Sequence, residues 1–491
     1  SFCALAERRT TNPEVHNAFE ETSALVLAAT TTRAACLQRS VGQIRNMRAS
    51  SRTDESTTKP SLRPRSFTGP GHIPPRTTSF ELTAGQSQAR GQSFSQVEVL
   101  LSTSEKPWVS DKREVVEETG EGGDVVGRTN QDDVFNSLLQ CLSDSRKRKV
   151  DGAAYNAEEA CFVVVRAIAE NLKLPKVVVT GCQAIPQIGG RDEQRLEDIG
   201  RKYRGIQTVL EAMRIHPQNA QVQESGLAAL CAMTLAAPNR AVIRDLSGIE
   251  TAIDAMRAHP TALLVQSEGC TLFANVAFGS PEAKLRLGSL GAIGAVLRAM
   301  RDHSHMGDVV LQTRACLALR NISWNAAENQ QKIGLFDGIM QLILTMSRHH
   351  MNSAVVEQCV IALCNVVIEC EANRARFTDT EGIEVVVSCM RAHQSNRIIL
   401  EHGVALIVAV VKRSREVLTR VLNSRAVAVM LHSLSEHRAN EDVVVKITTL
   451  LRYMAEFPAG RARIFQDGGI EALADALLYS LCLPDEDAMA A

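Results

Sequence analysis

Six histidines recur at nearly constant spacing: His216, His259, His303, His349, His393 and His437, half of the 12 in the chain. Imidazole is the commonest metal ligand, so zinc is the first chemistry to test. Ligands of one zinc ion lie about 2 Å from it, whereas helices stacked side by side are about 8–10 Å apart. Histidines that come once per unit of 43–46 residues therefore do not share an ion. Each closes a stretch such as GIQTVLEAMRIH (205–216) or GIETAIDAMRAH (248–259), and Pro217 and Pro260 follow in two cases. That place predicts a helix end, where the ring bonds the last free carbonyls and complements the helix dipole. His303 with His305, and His349 with His350, form closer pairs, but they fall in loops without a Cys or acid pattern and read as solvated.

Other chemistry is scarce. There is no GxxxxGK[ST], HExxH, GxSxG or EF-hand loop. LGSLGAIGAV at 287–296 has the glycine content of a phosphate loop, yet no strand precedes it and its glycines fall where other units restart. The 13 cysteines are an odd set without a CxxC pair, and Cys231, Cys270, Cys316 and Cys364 lie in apolar stretches where a thiol acts as a small hydrophobe; that usage fits a reducing compartment. The expectation is a non-enzymatic chain with no cofactor and no metal.

The elements that carry these residues repeat. First positions of the opening motif are Gly205, Gly248, Ala292, Gly338, Gly382, Ala426 and Gly469. Each opens a helix with one apolar face, as Ile206, Val209, Leu210 and Met213 show. A longer helix follows, with a small residue at a fixed place (Gly226, Gly269, Ala315, Cys359, Gly403) and a bulky one four on (Leu230, Phe273, Leu319, Leu363, Ile407). The small residue predicts close helix approach, since glycine otherwise costs helix stability. A third short helix, as in PNRAVIRDLSG, leads to the next restart. With 45% apolar and only 4% aromatic residues, the composition fits packed helices.

Three helices in 42–46 residues, in stretches such as NRAVIRDLSGIETAI, CLALRNIS and GRARIFQDGGIEALADAL, resemble the armadillo repeat family over roughly 205–480. The resemblance implies an all-α, armadillo-type α-solenoid, a right-handed superhelix of three-helix repeats. It also implies a concave groove lined by the long helices, where an asparagine holds the main chain of an extended partner. Asn275, Asn321 and Asn365 match that place in three consecutive units, flanked by Ala232, Ala409 and Tyr453. An amide donates and accepts at once, which suits an extended backbone; the alternative is that these asparagines only serve the stack. Nuclear-import members place tryptophan four residues earlier, where this chain has Thr271, Leu317 and Ile361. Arg320 and Trp324 are further groove candidates, because Arg and Trp dominate interface hot spots; Trp324 reads equally as core.

The implied function is a protein–protein interaction scaffold or adaptor. The alternatives are a regulator of a partner enzyme, such as a GTPase exchange factor or ubiquitin-pathway subunit, and a nuclear-transport adaptor. Partners are expected to be proteins; a net charge of −1 argues against nucleic acid, and the run GVALIVAVV (403–411) is too short to span a membrane. Residues 1–130, rich in Ser, Thr, Arg, Gly and Pro, read as a disordered arm. Its three Ser-Phe pairs, at Ser66, Ser79 and Ser93, suit docking or phosphorylation, and chance is the simpler reading. Five arginines without an acid between Thr22 and Thr53, and RKRK at 146–149, leave organelle or nuclear targeting open beside a cytoplasmic location. Residues 131–204 read as a worn N-terminal capping repeat, with helices over 132–144 and 156–171 and an insertion over 172–204. Residues 205–491 form the array, ending in a truncated cap.

Overall fold

The computed structural model describes residues 157–304, 308–412 and 414–482. The expected arm over 1–130, the helix over 132–144, the RKRK run and His305 lie outside these residues. The described residues belong to one of two units, the one that contains Glu98–Ala491. They form 22 α-helices and one π turn, with no strand among the described residues.

Helices α1 (Ala157–Glu170), α2 (Pro175–Gly189) and α3 (Glu193–Glu197), the last continuing into a π turn over Asp198–Lys202, precede the first restart. The first helices of the following units are α4 (Gly205–Ile215), α7 (Gly248–Ala258), α10 (Ala292–Asp302), α13 (Gly338–Arg348), α16 (Gly382–Ala392), α19 (Ala426–Glu436) and α22 (Gly469–Cys482). All seven begin on the residue at which the sequence restarts. Between them come the long helices α5 (Ala220–Met233), α8 (Leu263–Ala277), α11 (Val309–Ser323), α14 (Ser353–Val367), α17 (Arg397–Val411) and α20 (Glu441–Ala455). The short helices are α6 (Ala237–Asp245), α9 (Pro281–Leu290), α12 (Ala327–Leu335), α15 (Glu371–Thr378), α18 (Arg415–Asn423) and α21 (Pro458–Gln466). First helices pack on first helices and long on long from unit to unit, which closes one continuous apolar core.

Local chemistry sets the boundaries. Asn219, Asp308, Asn352, Asn396 and Asn440 cap the long helices through side-chain oxygens that accept from backbone N–H groups two or three residues on. A glycine starts α7 because a Cβ at Gly248 would lie 2.7 Å from the Ile243 carbonyl oxygen. The fixed small residue of the long helix receives the methionine of its own first helix: a Cβ at Gly269 would meet Met256 Sδ at 2.6 Å, and one at Gly403 would meet Met390 Sδ at 2.7 Å. The close approach is thus between side chain and backbone within a unit.

The N-terminal unit differs from the sequence reading. The stretch 172–204 is not an insertion: α2 stacks on the long helix α5, and α1 stacks on the first helix α4. Residues 157–202 therefore supply first, long and short helices in order, and α1, expected over 156–171 as the second helix of the worn repeat, is the first helix of that unit.

Candidate functional site

The long helices carry the residues that the resemblance nominates, and they differ in their surroundings. From Val265 to Ala277 every residue of α8 is buried, and so is α11 from Arg314 to Ser323. A helix apolar or covered on all sides is held by neighbours all round. Helices α5, α14 and α17 each leave a half-buried row that includes Glu224, Asn365 and His402.

Asn275 and Asn321 are 1% and 4% exposed, and Asn365 is half-buried. Each side-chain amide donates to the preceding unit: Asn275 Nδ2 to Thr234 Oγ1 at 2.8 Å, Asn321 to the Ala274 carbonyl at 2.9 Å, and Asn365 to the Arg320 carbonyl at 3.0 Å. The donor side of the ladder thus ties consecutive long helices. Arg320 Nη1 donates to Gln358 Oε1 at 2.8 Å on the next long helix. Trp324, which reads equally as core from sequence, ends α11 with 41% of its surface exposed, and its carbonyl accepts from Lys284 Nζ at 2.8 Å.

Sequence reasoning missed a charged cluster beside this ladder. Arg314 Nη1 donates to Glu268 Oε1 at 2.6 Å and to Ser267 Oγ at 2.8 Å, with both charged side chains 9% exposed. The second oxygen of Glu268 has no hydrogen-bond partner among the described residues. Burial, reinforced by the charge of Glu268, raises the pKa of Glu224 on α5 above the usual carboxylate range. Glu268 is thus paired with the guanidinium, and the carboxylate of Glu224 lies near enough to Glu268 to feel its charge. The signal in the sequence was a Glu or Arg inside an otherwise apolar long helix, at 224, 268 and 314.

The histidines sit where the spacing placed them, as the residues that end the first helices. Their rings do other work than predicted. Nε2 of His216, His259, His303, His393 and His437 lies 2.7–2.8 Å from the carbonyls of Leu172, Pro217, Pro260, His350 and Gln394, all in the preceding unit. The rings are cross-unit ties. The carbonyls at the helix end are met instead by glutamines of the long helix: Gln223 donates to Met213 and His216, and Gln266 to Met256 and His259, at 2.8 Å in each case. His303, read as solvated, is 3% exposed, whereas His350 is exposed.

The remaining candidates resolve into packing. Residues 287–296 span the end of α9, a left-handed Gly291 and the start of α10, so the glycine-rich run is a helix junction. Cys231, Cys270, Cys316 and Cys364 are buried, and burial pushes the thiols of Cys270 and Cys364 up to about 12. Such thiols are poor nucleophiles. Among the described residues no helix is long and apolar enough to cross a membrane.

The family described as "Protein zer-1 homolog-like, C-terminal domain" matches residues 190–454, slightly more than half of the chain. No curated protein matches the chain. Similar solved structures include two described as "Crystal Structure of Engineered Protein", targets OR329 and OR497. The first is 17% identical with a TM-score of 0.45, covering 51% of this chain and 96% of its own. The second is 16% identical with a TM-score of 0.48, covering 74% and 93%. A structure described as "A conserved phosphorylation switch controls the interaction between cadherin and beta-catenin in vitro and in vivo" is 13% identical with a TM-score of 0.37, covering 69% and 82%.

Proposed function

Because this chain belongs to the zer-1 homolog-like C-terminal domain family, an armadillo-type repeat family, we propose that it is a non-enzymatic scaffold that binds an extended segment of a partner protein along its long helices. The observation that carries this reading is the polar row on consecutive long helices, from Glu224 and Glu268 through Arg314 and Arg320 to Asn365. Charges cost free energy on a helix face that serves packing alone. On a binding face they orient a partner. An extended segment with a cationic group near Glu224 and Glu268 answers the surplus carboxylate, while Arg320, Asn365 and Trp324 contact its continuation.

Asn275 and Asn321 enter this proposal through their place in the row, and their burial makes them poor sites for a first test. Trp324→Ala, Asn365→Ala and Glu224→Gln alter more accessible side chains. The test is affinity capture from lysate with the full chain and with this triple variant, read by mass spectrometry. Loss of specific partners by a variant that melts as the parent does supports the reading. Retention of every partner removes the long-helix face from it.

Among the partner-enzyme readings, the family match favours a substrate adaptor of a ubiquitin ligase over an exchange factor. That reading requires ligase subunits in the same capture and a longer lifetime of the captured partner when the chain is depleted. A capture free of ligase subunits would sink it and leave the scaffold.

A further inference from the structure

The repeat supplies its own control for what an exposed position tolerates. Three residues before the restart the units carry Lys202, Asp245, Ser289, Asp379, Asn423 and Gln466, and six residues after it Glu211, Asp254, Arg298, Ser388, His432 and Asp475. In the unit that begins at Gly338 the same places hold Leu335 and Leu344. Met340 stands where other units have Gln207, Glu250, Glu384 or Glu471. These side chains are not borrowed for the core: Leu335 is 63% exposed, Phe336 48%, Met340 43% and Leu344 39%. Met340 and Leu344 form a ridge one turn long on α13, about 6 Å at 1.5 Å per residue, and Leu335 and Phe336 end α12 just before it, across the left-handed Asp337. An exposed apolar row that no other unit shares marks a contact surface.

A second observation lies on the neighbouring first helix. Gly294 of α10 occupies the place that Met340 occupies on α13, and α10 packs against α13. Glycine inside a helix costs about 0.5–1 kcal/mol relative to alanine. The glycines of the long helices α5, α8 and α17 have a reason, since a Cβ there would strike a methionine. At Gly294 a Cβ would meet nothing within 4 Å. The missing side chain leaves a flat spot beside the ridge, open to something outside the unit.

Charge identifies the occupant. Exposed acids, Asp337, Asp379 and Glu381, fall just before the starts of α13 and α16, and exposed arginines, Arg298, Arg301 and Arg348, fall in the second halves of α10 and α13, with Asp302 as an exposed acid among them. Turned end for end, the surface is its own complement: acids meet arginines, the ridge meets the ridge, and Gly294 admits an apolar side chain. A two-fold interface needs this pairing of each residue with its counterpart's partner.

We propose that the outer face of α12 and α13, with Gly294, is a self-association surface that takes a second copy of this chain, antiparallel about a two-fold axis near Met340.

The test is sedimentation equilibrium of the full chain through the micromolar range. The parent is expected to pass from monomer to dimer with concentration. Met340→Glu remains monomeric with an unchanged melting temperature. Gly294→Arg fills the flat spot; since arginine is a better helix former than glycine, it keeps or raises the melting temperature while weakening the dimer. Arg348→Glu raises the dimer Kd about tenfold by placing like charges together, and Asp337→Arg combined with Arg348→Glu restores it, because each copy then presents the swapped charge to its mate. A parent that stays monomeric throughout, or a dimer indifferent to Met340→Glu, overturns the proposal. So does a monomer that uses this ridge to hold the helix of another protein.

Discussion

His259 ends its helix with its ring turned towards another unit, 2.8 Å from the Pro217 carbonyl. A single neutral hydrogen bond contributes about 0.5–1.5 kcal/mol, so His259→Ala should lower unfolding free energy by about 1 kcal/mol. Urea denaturation measures this; an unchanged midpoint would remove the tie from the account. The recurrence of the histidines and their place at helix ends were legible in the sequence, but the ring's partner was not. The acceptor is a main-chain carbonyl, carried in turn by leucine, proline, histidine and glutamine, so no residue type marks it. His402 adds a pH dependence. Burial is the main cause that holds its pKa below the ordinary imidazole range, with Lys446 and Arg320 adding to it against the bond to Ile398 and the charge of Glu401. A depressed histidine binds its proton more readily in the unfolded chain, so its contribution is complete above about pH 6.5 and is lost as pH falls towards the folded value. Melting temperature should drop between pH 7 and 5, and His402→Gln should flatten that drop. An identical slope in the variant would place the acid sensitivity elsewhere.

At the scale of elements, short helices are joined by a contact that residue types only half disclosed. Asn329 and Asn373 are 1% and 0% exposed. Each donates both to its own unit and to the preceding one: Asn329 to the carbonyls of Ile322 and Lys284, Asn373 to those of Val366 and Gln330, at 2.7–3.0 Å. Each sits against a glycine of the preceding short helix, where a Cβ at Gly288 or Gly334 would lie 1.8 Å from the asparagine oxygen. Asn373-Arg374 repeats the pair Asn239-Arg240, whereas Gln330 follows Asn329, and nothing in the sequence marks the glycine counterparts some 40 residues earlier. Gly334→Ala should therefore destabilise by about 1–3 kcal/mol, the usual range for overpacking, although alanine is the better helix former. Calorimetry checks the sign, and a stabilised variant would show that the two helices part without loss. The same limit explains α2. It opens on Pro175 and contains Pro186, so periodicity read alone treated a stacked long helix as an insertion, and only its contact with α5 identifies it.

For the array as a whole, each unit touches chiefly its neighbours, which makes stability a sum of unit and interface terms. The middle of the array holds more of those terms than its ends. Helices α8 and α11 are buried on all sides over most of their length and are joined by the Arg314–Glu268 pair, the Asn321 tie and shared apolar packing. At the C-terminal end, α20 leaves Asp442 and Arg452 exposed, and α21 buries only Gly460 and Ile464. Amide exchange then follows local opening free energy, from near zero at fraying ends to the global value in the core. Protection measured by mass spectrometry should be highest in α8 and α11 and decline stepwise towards α21. Leu272→Ala, at a fully buried position of α8, should cost about 2–5 kcal/mol and reduce protection in α8 and in its neighbours α5 and α11 before it reaches α20. The buried ion pair is itself weak evidence for stability, since desolvation offsets its attraction, and replacing Arg314 alone should cost more than replacing both partners by apolar residues. Equal protection from α5 to α21, lost everywhere at once in Leu272→Ala, would mean that the units unfold as a single body and that the nearest-neighbour description of this array is wrong.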